Sequence, residues 1–191
     1  MEARQQAEQQ QAIREAMAAQ RAALERDPGD PTIGNPDGDV TIVEFFDYQC
    51  GYCKSVMEPL MELVAKDGNI RLVLKEFPIL GPASQVAARA SLAAAKQGKY
   101  DVFHLDLMRL RGRLTEGAIY QVAREAGLDL DILKADMASP AIQAQIQKTY
   151  QLAQALQIQG TPAFTIGERL IPGAISQEQM VELVAKVRQG G

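Results

Sequence analysis

Glu44-Phe45-Phe46-Asp47-Tyr48-Gln49-Cys50-Gly51-Tyr52-Cys53 joins the end of an apolar run to the start of a helical pattern, and it holds both cysteines of the 191-residue chain. Upstream, Val40-Thr41-Ile42-Val43-Glu44-Phe45-Phe46 is β-branched and aromatic and follows turn residues, as a buried central strand does. Downstream, Val56, Leu60, Leu63 and Val64 recur at helical spacing between Ser55 and Lys66, and Gly68-Asn69 closes that helix. Ile70 to Phe77 returns to a strand pattern. The order strand, cysteine turn, helix, strand predicts a right-handed βαβ unit with a parallel strand pair.

With 47% hydrophobic and 23% charged residues, the chain is a foldable globular protein rather than a disordered or collagen-like one. A chain of this length buries roughly two-thirds of its extended surface, so it needs no disulfide staples. Cys50 and Cys53 are too few and too close for a disulfide framework and read as a reactive or metal-binding pair. A formal net charge of −4 argues against nucleic acid or an anionic membrane as partner. No apolar run approaches the roughly 18 residues of a membrane-spanning helix, and Met1 to Gln5 lack the apolar core of a secretory signal.

Placement gives the cysteine pair its chemistry. Two intervening residues at a strand-to-helix turn bring the thiols to disulfide distance within the first helical turn, where free N–H groups and the helix dipole favour a thiolate. Cys50 is then the nucleophile, and Cys53, one turn deeper, attacks the mixed disulfide to release product. The competing readings are a structural cysteine pair or half a zinc site, for which the chain offers no second CxxC and a single histidine, His104. His104 itself reads as a helix-surface or core residue before it reads as a ligand. Met57 and Met61 lie at helical core spacing and are expected to pack rather than ligate.

Glu44 is the odd member of its strand. Buried beneath the cysteine turn, its carboxyl would have a raised pKa and could exchange a proton with Cys53; at a sheet edge it would face solvent. Lys75, on the next strand, could pair with Glu44 or stand solvated at a strand edge. Thr161-Pro162 precedes an apolar strand, a setting for either a cis X–Pro bond or an ordinary trans proline opening the strand. If Pro162 is cis and close to Cys50, the Thr161 backbone is free to pair with an extended substrate segment.

Around this centre the chain divides into parts. Residues 1–26 are rich in Ala, Gln, Glu and Arg and predict one long helix; Ala3, Gln10, Met17 and Leu24 share one heptad seam position, with Gln6, Ile13 and Gln20 on the other. That helix reads as a solvated extension or as an oligomerisation stalk. Residues 27–38, with three prolines and three glycines, read as a flexible linker or a loop-edged first strand. Residues 39–189 form the catalytic domain, interrupted at about 82–158 by an Ala- and Leu-rich block of four or five helices. After the block, two short strands form a hairpin at Gly167-Glu168, and a last helix starts at Ser176 with Gln179 completing a capping box.

The run Glu44 to Cys53, the helical insertion and Gly160-Thr161-Pro162-Ala163-Phe164 together resemble the DsbA-like thioredoxin family, over about Thr32 to Gln189. The resemblance implies an α/β thioredoxin fold with an inserted helical domain. It carries the roles of nucleophile to Cys50, resolving thiol to Cys53, buried acid to Glu44 and cis-proline to Pro162. Gly51, Tyr52, Thr161 and Pro162 are then expected to meet the substrate. The N-terminal helix ahead of a Pro/Gly-rich segment is similar to that of suppressor of copper sensitivity C (ScsC) proteins, some of which form trimers through such a stalk.

That likeness implies a periplasmic homotrimer, with a dimer as runner-up, whose signal peptide is absent from this sequence. Its expected activity is protein disulfide isomerase or reductase action on misoxidised secreted proteins, reset by a membrane thiol reductase and linked to copper tolerance. Tyr52 stands where the family's strong oxidant has His in Cys-Pro-His-Cys, so no imidazolium lies beside Cys50, which favours reduction or shuffling over oxidation. A DsbA-like oxidase, reset by a quinone-linked oxidase, is one alternative. Another is a copper-sequestering protein with Cu(I) held by the Cys50 and Cys53 thiolates, a match of soft ligand to soft ion. Thiol exchange itself requires no cofactor.

Overall fold

Val40–Phe46 becomes the middle strand of a sheet because its side chains serve two apolar layers at once. In the computed structural model, which describes residues 2–190, five strands form one sheet: β1 (Thr32–Gly34), β2 (Val40–Phe46), β3 (Ile70–Glu76), β4 (Ala163–Ile166) and β5 (Arg169–Pro172). Their order is β1-β3-β2-β4-β5. β2 and β3 pair in parallel with Glu44 opposite Leu74, while β4 runs antiparallel to β2 and places Phe164 opposite Glu44. Met1 and Gly191, and the side chains of Glu2, Ala3 and Gln6, lie outside the described residues, and so do the seam positions assigned to Ala3 and Gln6.

One face of β2, with Ile42 and Phe46, packs against α3 (Gly51–Asp67), whose Cys53, Met57 and Leu60 enter the same apolar cluster. Gly68, at φ +70, ends α3 in the left-handed conformation that releases the chain into β3. The expected insertion is five helices: α4 (Pro82–Lys96), α5 (Tyr100–Arg109), α6 (Glu116–Glu125), α7 (Leu130–Met137) and α8 (Pro140–Ala155). The β4–β5 hairpin follows, and α9 (Gln177–Arg188) starts at the Ser176–Gln179 capping box.

The N-terminal third of the sheet's cover departs from expectation. The single helix read over residues 1–26 is interrupted at Gln20, giving α1 (Glu2–Ala19) and α2 (Arg21–Glu25). Both pack onto their own domain in this structure. Met17 and Leu24, the large apolar members of the seam, are 6% and 2% exposed against Val43, Phe45, Val73 and Ala163, the second face of the sheet. The physical reason is that this face needs an apolar cover, and Ile13, Ala16, Met17 and Leu24 supply it together with Leu152 and Leu156 at the end of the insertion.

Residues 27–38, read as a flexible linker, are likewise built into the fold. They hold β1, antiparallel to β3 with Ile33 opposite Leu72, so the loop-edged strand is the reading the structure adopts. Asp30 of this segment makes a buried ion pair with Lys75 and accepts a 2.8 Å hydrogen bond from Gln145 on α8. Pairing of Lys75 with Glu44 is therefore corrected. Lys75 shares the face of Val73 and Phe77, whereas Glu44 alternates with Ile42 and Phe46 on the opposite face.

Candidate active site

The N-terminus of α3 arises where β2 ends and the chain turns through Asp47-Tyr48-Gln49. The Asp47 carboxylate holds this turn: it accepts hydrogen bonds from the backbone N–H of Gln49 (2.7 Å) and of Leu80 (2.9 Å) and from the Ser84 hydroxyl (2.6 Å). Gln49 in turn donates to the Leu80 carbonyl and to Ser84. Cys50 is the N-cap of α3, and its Sγ accepts from the Cys53 backbone N–H at 3.3 Å. Gly51 and Tyr52 form the exposed rim, Tyr52 being 71% accessible.

The two thiols occupy different environments. Cys50, 6% exposed beneath the Gly51–Tyr52 rim, has its pKa lowered from 9.0 to about 6. A hydrogen bond from the Cys53 thiol is the main cause; the Thr161 hydroxyl and the N–H groups of Cys53 and Tyr52 add to it against the opposing effect of burial. Cys53 is fully buried, and loss of hydration drives its pKa far upward, reinforced by its bond to Cys50 and by the charge of Glu44.

Glu44 lies beneath this pair, 2% exposed, with its Oε1 lacking any hydrogen-bond partner. Burial raises its pKa to about 8, and the Cys50 thiolate pushes it the same way. A carboxyl protonated at neutral pH, with one oxygen free of partners, is chemically able to exchange a proton with a thiol.

Thr161 and Pro162 arrive from the far end of the chain. The Thr161–Pro162 bond is cis, and the Thr161 carbonyl accepts a 3.3 Å hydrogen bond from the Cys50 thiol. The Pro162 carbonyl is tied to the N–H of Gly173 at 2.8 Å. The structure thus brings together Cys50, Cys53, Glu44, Thr161 and Pro162, with Gly51 and Tyr52 at the rim. Lys75 lies apart, on the other face of the sheet.

His104 is a core residue. Burial lowers its pKa to about 3, and its Nδ1 is 2.9 Å from the Tyr48 hydroxyl. Tyr48 and Tyr100 donate to the same Glu76 oxygen at 3.0 and 2.9 Å, and the Tyr100 ring stacks on His104. This buried cluster joins the cysteine turn, the end of β3 and α5, and Lys54 adds a second tie by donating to the Leu110 carbonyl at 2.7 Å. Sequence reasoning passed over Asp47, Tyr48 and Glu76. The available signal was a polar residue at the end of each of two apolar strands, where nothing but hydrogen bonding makes burial tolerable. Met57 and Met61 pack in the core as expected.

A family model described as "DSBA-like thioredoxin domain" matches residues 41–185. The Na(+)/H(+) antiporter NhaA 1 of Salinispora arenicola is 29% identical over 163 residues, 84% of this chain but 25% of that protein; the chain spans about a quarter of the length of the first antiporter relatives it matches. The thiol:disulfide interchange protein DsbA of Bordetella parapertussis is 29% identical over 76% of this chain and 71% of its own length. Among solved structures, a thioredoxin-like oxidoreductase from Silicibacter pomeroyi DSS-3 superposes with a TM-score of 0.87 at 47% identity, covering 88% of this chain and 98% of that one. The catalytic domain of Proteus mirabilis ScsC does so with a TM-score of 0.83 at 28% identity, covering 91% and 97%.

Proposed function

The chain belongs to the DsbA-like thioredoxin family, and from that premise we propose that it is a thiol–disulfide oxidoreductase acting as an isomerase and reductase on misoxidised secreted proteins. The observation that carries the reading is the asymmetry of the pair: an acidified thiol at the N-cap of α3 and, beside it, a thiol whose pKa burial drives upward, next to a carboxyl with an unpartnered oxygen. With a pKa of about 6, Cys50 is about nine-tenths thiolate at pH 7. The thiolate attacks a substrate disulfide, forming the Cys50–substrate bond and expelling the substrate's other sulfur as a thiolate.

Forming that mixed disulfide removes the negative charge on Cys50. Glu44, still raised by burial but relieved of that charge, ionises more readily; it releases its own proton to solvent, and the carboxylate so formed accepts the Cys53 proton. Cys53 then attacks Cys50 Sγ, which closes the Cys50–Cys53 disulfide and releases the reduced substrate. If the freed substrate thiolate attacks first, the substrate leaves with a rearranged disulfide and the pair stays reduced. Tyr52, without an imidazolium to offer, favours these outcomes over net oxidation. Refolding of scrambled ribonuclease is the test: activity above a glutathione baseline, abolished by Cys50→Ala, is expected, and a Cys50→Ala variant as active as the parent would overturn the mechanism.

The same proposal takes in a periplasmic location, a membrane thiol reductase that keeps the pair reduced, and homotrimer assembly through residues 1–26. Assembly through that seam has a condition. Met17 and Leu24 are buried within their own chain, so the helix must leave the sheet to present them to partner copies. Sedimentation of the whole chain and of a chain lacking residues 1–26 tests it, since an oligomeric truncate would exclude the stalk.

A second reading rests on the donor set. Cys50 and Cys53 are two soft sulfur ligands that fit Cu(I), and among the described residues no group of three His, Cys, Asp or Glu side chains offers another metal site. Bound Cu(I) would occupy both thiolates and sequester the ion. Protection of Cys50 from alkylation by Cu(I) supports this reading; alkylation at an unchanged rate excludes it.

A further inference from the structure

A cavity of about 500 Å³ lies beside the cis-proline loop, and its far wall is α1. Gln9 and Ile13 of α1 line it together with Gln159, Thr161, Leu170 and Pro172. The helix is fixed there at two levels. Met17 anchors it in the apolar layer over the sheet, and Gln9 Nε2 donates at 3.3 Å to Gln157, which lies just past the end of α8 at the start of the loop to Thr161. Gln157 holds a positive φ of 58°, so this turn is a defined conformation and not an open tail.

We propose that α1 completes the substrate groove, forming with the cis-proline loop a subsite for an apolar side chain of the polypeptide flanking the attacked cysteine. The proposal rests on the thiol–disulfide reading and names what that site selects. Continuity of the surfaces carries it. Thr161 touches both the Cys50 thiol and the cavity, and its N–H makes no hydrogen bond among the described residues. A substrate strand bonded to the attacking sulfur and paired with Thr161 therefore runs along the cavity mouth, and one set of its alternating side chains points in.

The lining selects the occupant. Ile13, Leu170 and the prolines give an apolar floor, no charged side chain among the described residues lines the cavity, and Gln9 and Gln159 stand as polar groups around it. An apolar residue gains by leaving water there, whereas an aspartate loses hydration with no cation to pair with it.

The experiment uses the whole chain and two disulfide-linked peptide pairs that differ only in a Leu or an Asp two positions from the attacked cysteine. Wild-type protein is expected to reduce the Leu peptide about tenfold faster than the Asp peptide. The Ile13→Asp variant should bring that ratio close to one, with Gln9→Ala, at an exposed position, as a second and milder probe. Circular dichroism confirms that the variants are folded. A wild-type ratio near one overturns the subsite. So does a ratio that survives Ile13→Asp while both rates fall together, which would make Ile13 a packing residue only. Failure of the wild-type protein to exchange with either peptide would instead overturn the thiol–disulfide reading itself.

Discussion

Cys50 Sγ donates a 3.3 Å hydrogen bond to the carbonyl oxygen of Thr161, a residue 111 positions further along the chain. The contact belongs to the protonated thiol. Ionisation withdraws the donor and leaves the Thr161 carbonyl free, so in the proposed mechanism the step that arms the nucleophile also clears the backbone edge offered to an extended substrate.

Alkylation reports this ionisation directly. Because the Cys50 pKa is lowered from 9.0 to about 6, the thiolate is present above that value and lost below it. The rate of reaction of reduced protein with iodoacetamide should rise between pH 5 and 7 with a midpoint of about pH 6. Cys53, whose pKa is driven upward, should contribute no second step in that range. A midpoint near 9.0 would show that the helix terminus and its donors do not act on this sulfur.

In the proposed reading, Tyr52 makes the pair less oxidising than an imidazole there would. A Tyr52→His substitution places an imidazole at an exposed position beside the thiolate, where its charged form further stabilises the reduced protein. Each unit by which the Cys50 pKa falls is worth about tenfold in the exchange constant, or about 30 mV. Equilibration with glutathione should place the variant at a more oxidising potential than wild type. An unchanged potential would remove the argument that Tyr52 favours shuffling.

Glu44→Gln separates proton relay from packing. The variant keeps the shape of the side chain and loses its base, so a mixed disulfide between Cys50 and a test peptide should resolve about 100-fold more slowly and accumulate on quenched gels. Stability should move the other way. The Glu44 pKa is raised from 4.5 to about 8, so between these values the unfolded chain releases a proton that the folded chain retains, and wild-type stability falls as pH rises through that window. The loss is on the order of 5 kcal/mol when complete. Urea unfolding of both reduced proteins at pH 5 and pH 8 should show the variant gaining on wild type at the higher pH, and equal pH slopes would place Glu44 in contact with water.

The parts of this molecule that sequence makes legible are those where periodicity and chemistry fall within a few residues of each other. Val40–Phe46, the Cys50–Cys53 turn, the Ser176–Gln179 cap and the helical insertion all carry their signals locally. What the period of a strand does not name is the segment that covers it. Val43 and Phe45 announce a second buried face, but Met17 and Leu24 look the same whether they meet that face or a neighbouring chain. Lys75 poses the same difficulty. Its strand position marks it as unusual, yet its partner Asp30 lies 45 positions away in a Pro/Gly-rich stretch whose composition reads as loop.

That pair tests whether the N-terminal segment is a working part of the domain. Lys75 Nζ binds both Asp30 and the Ala23 carbonyl, and the side chains of the ion pair are 2% exposed. Burial raises the Asp30 pKa even against the attraction of Lys75, so this carboxylate depends on its partner for its charge. Lys75→Met removes that partner while keeping an unbranched apolar stem, and should cost about 3–5 kcal/mol in urea unfolding at neutral pH. Adding Asp30→Asn removes the stranded carboxylate and should recover most of the loss, a coupling that two independent packing defects would not show. The single variant should also loosen α1 and α2 from the sheet, read as faster proteolysis within residues 1–38 than in the rest of the chain. Additive costs in the double variant would mean that the ion pair is incidental and that Met17 and Leu24 alone hold the segment in place.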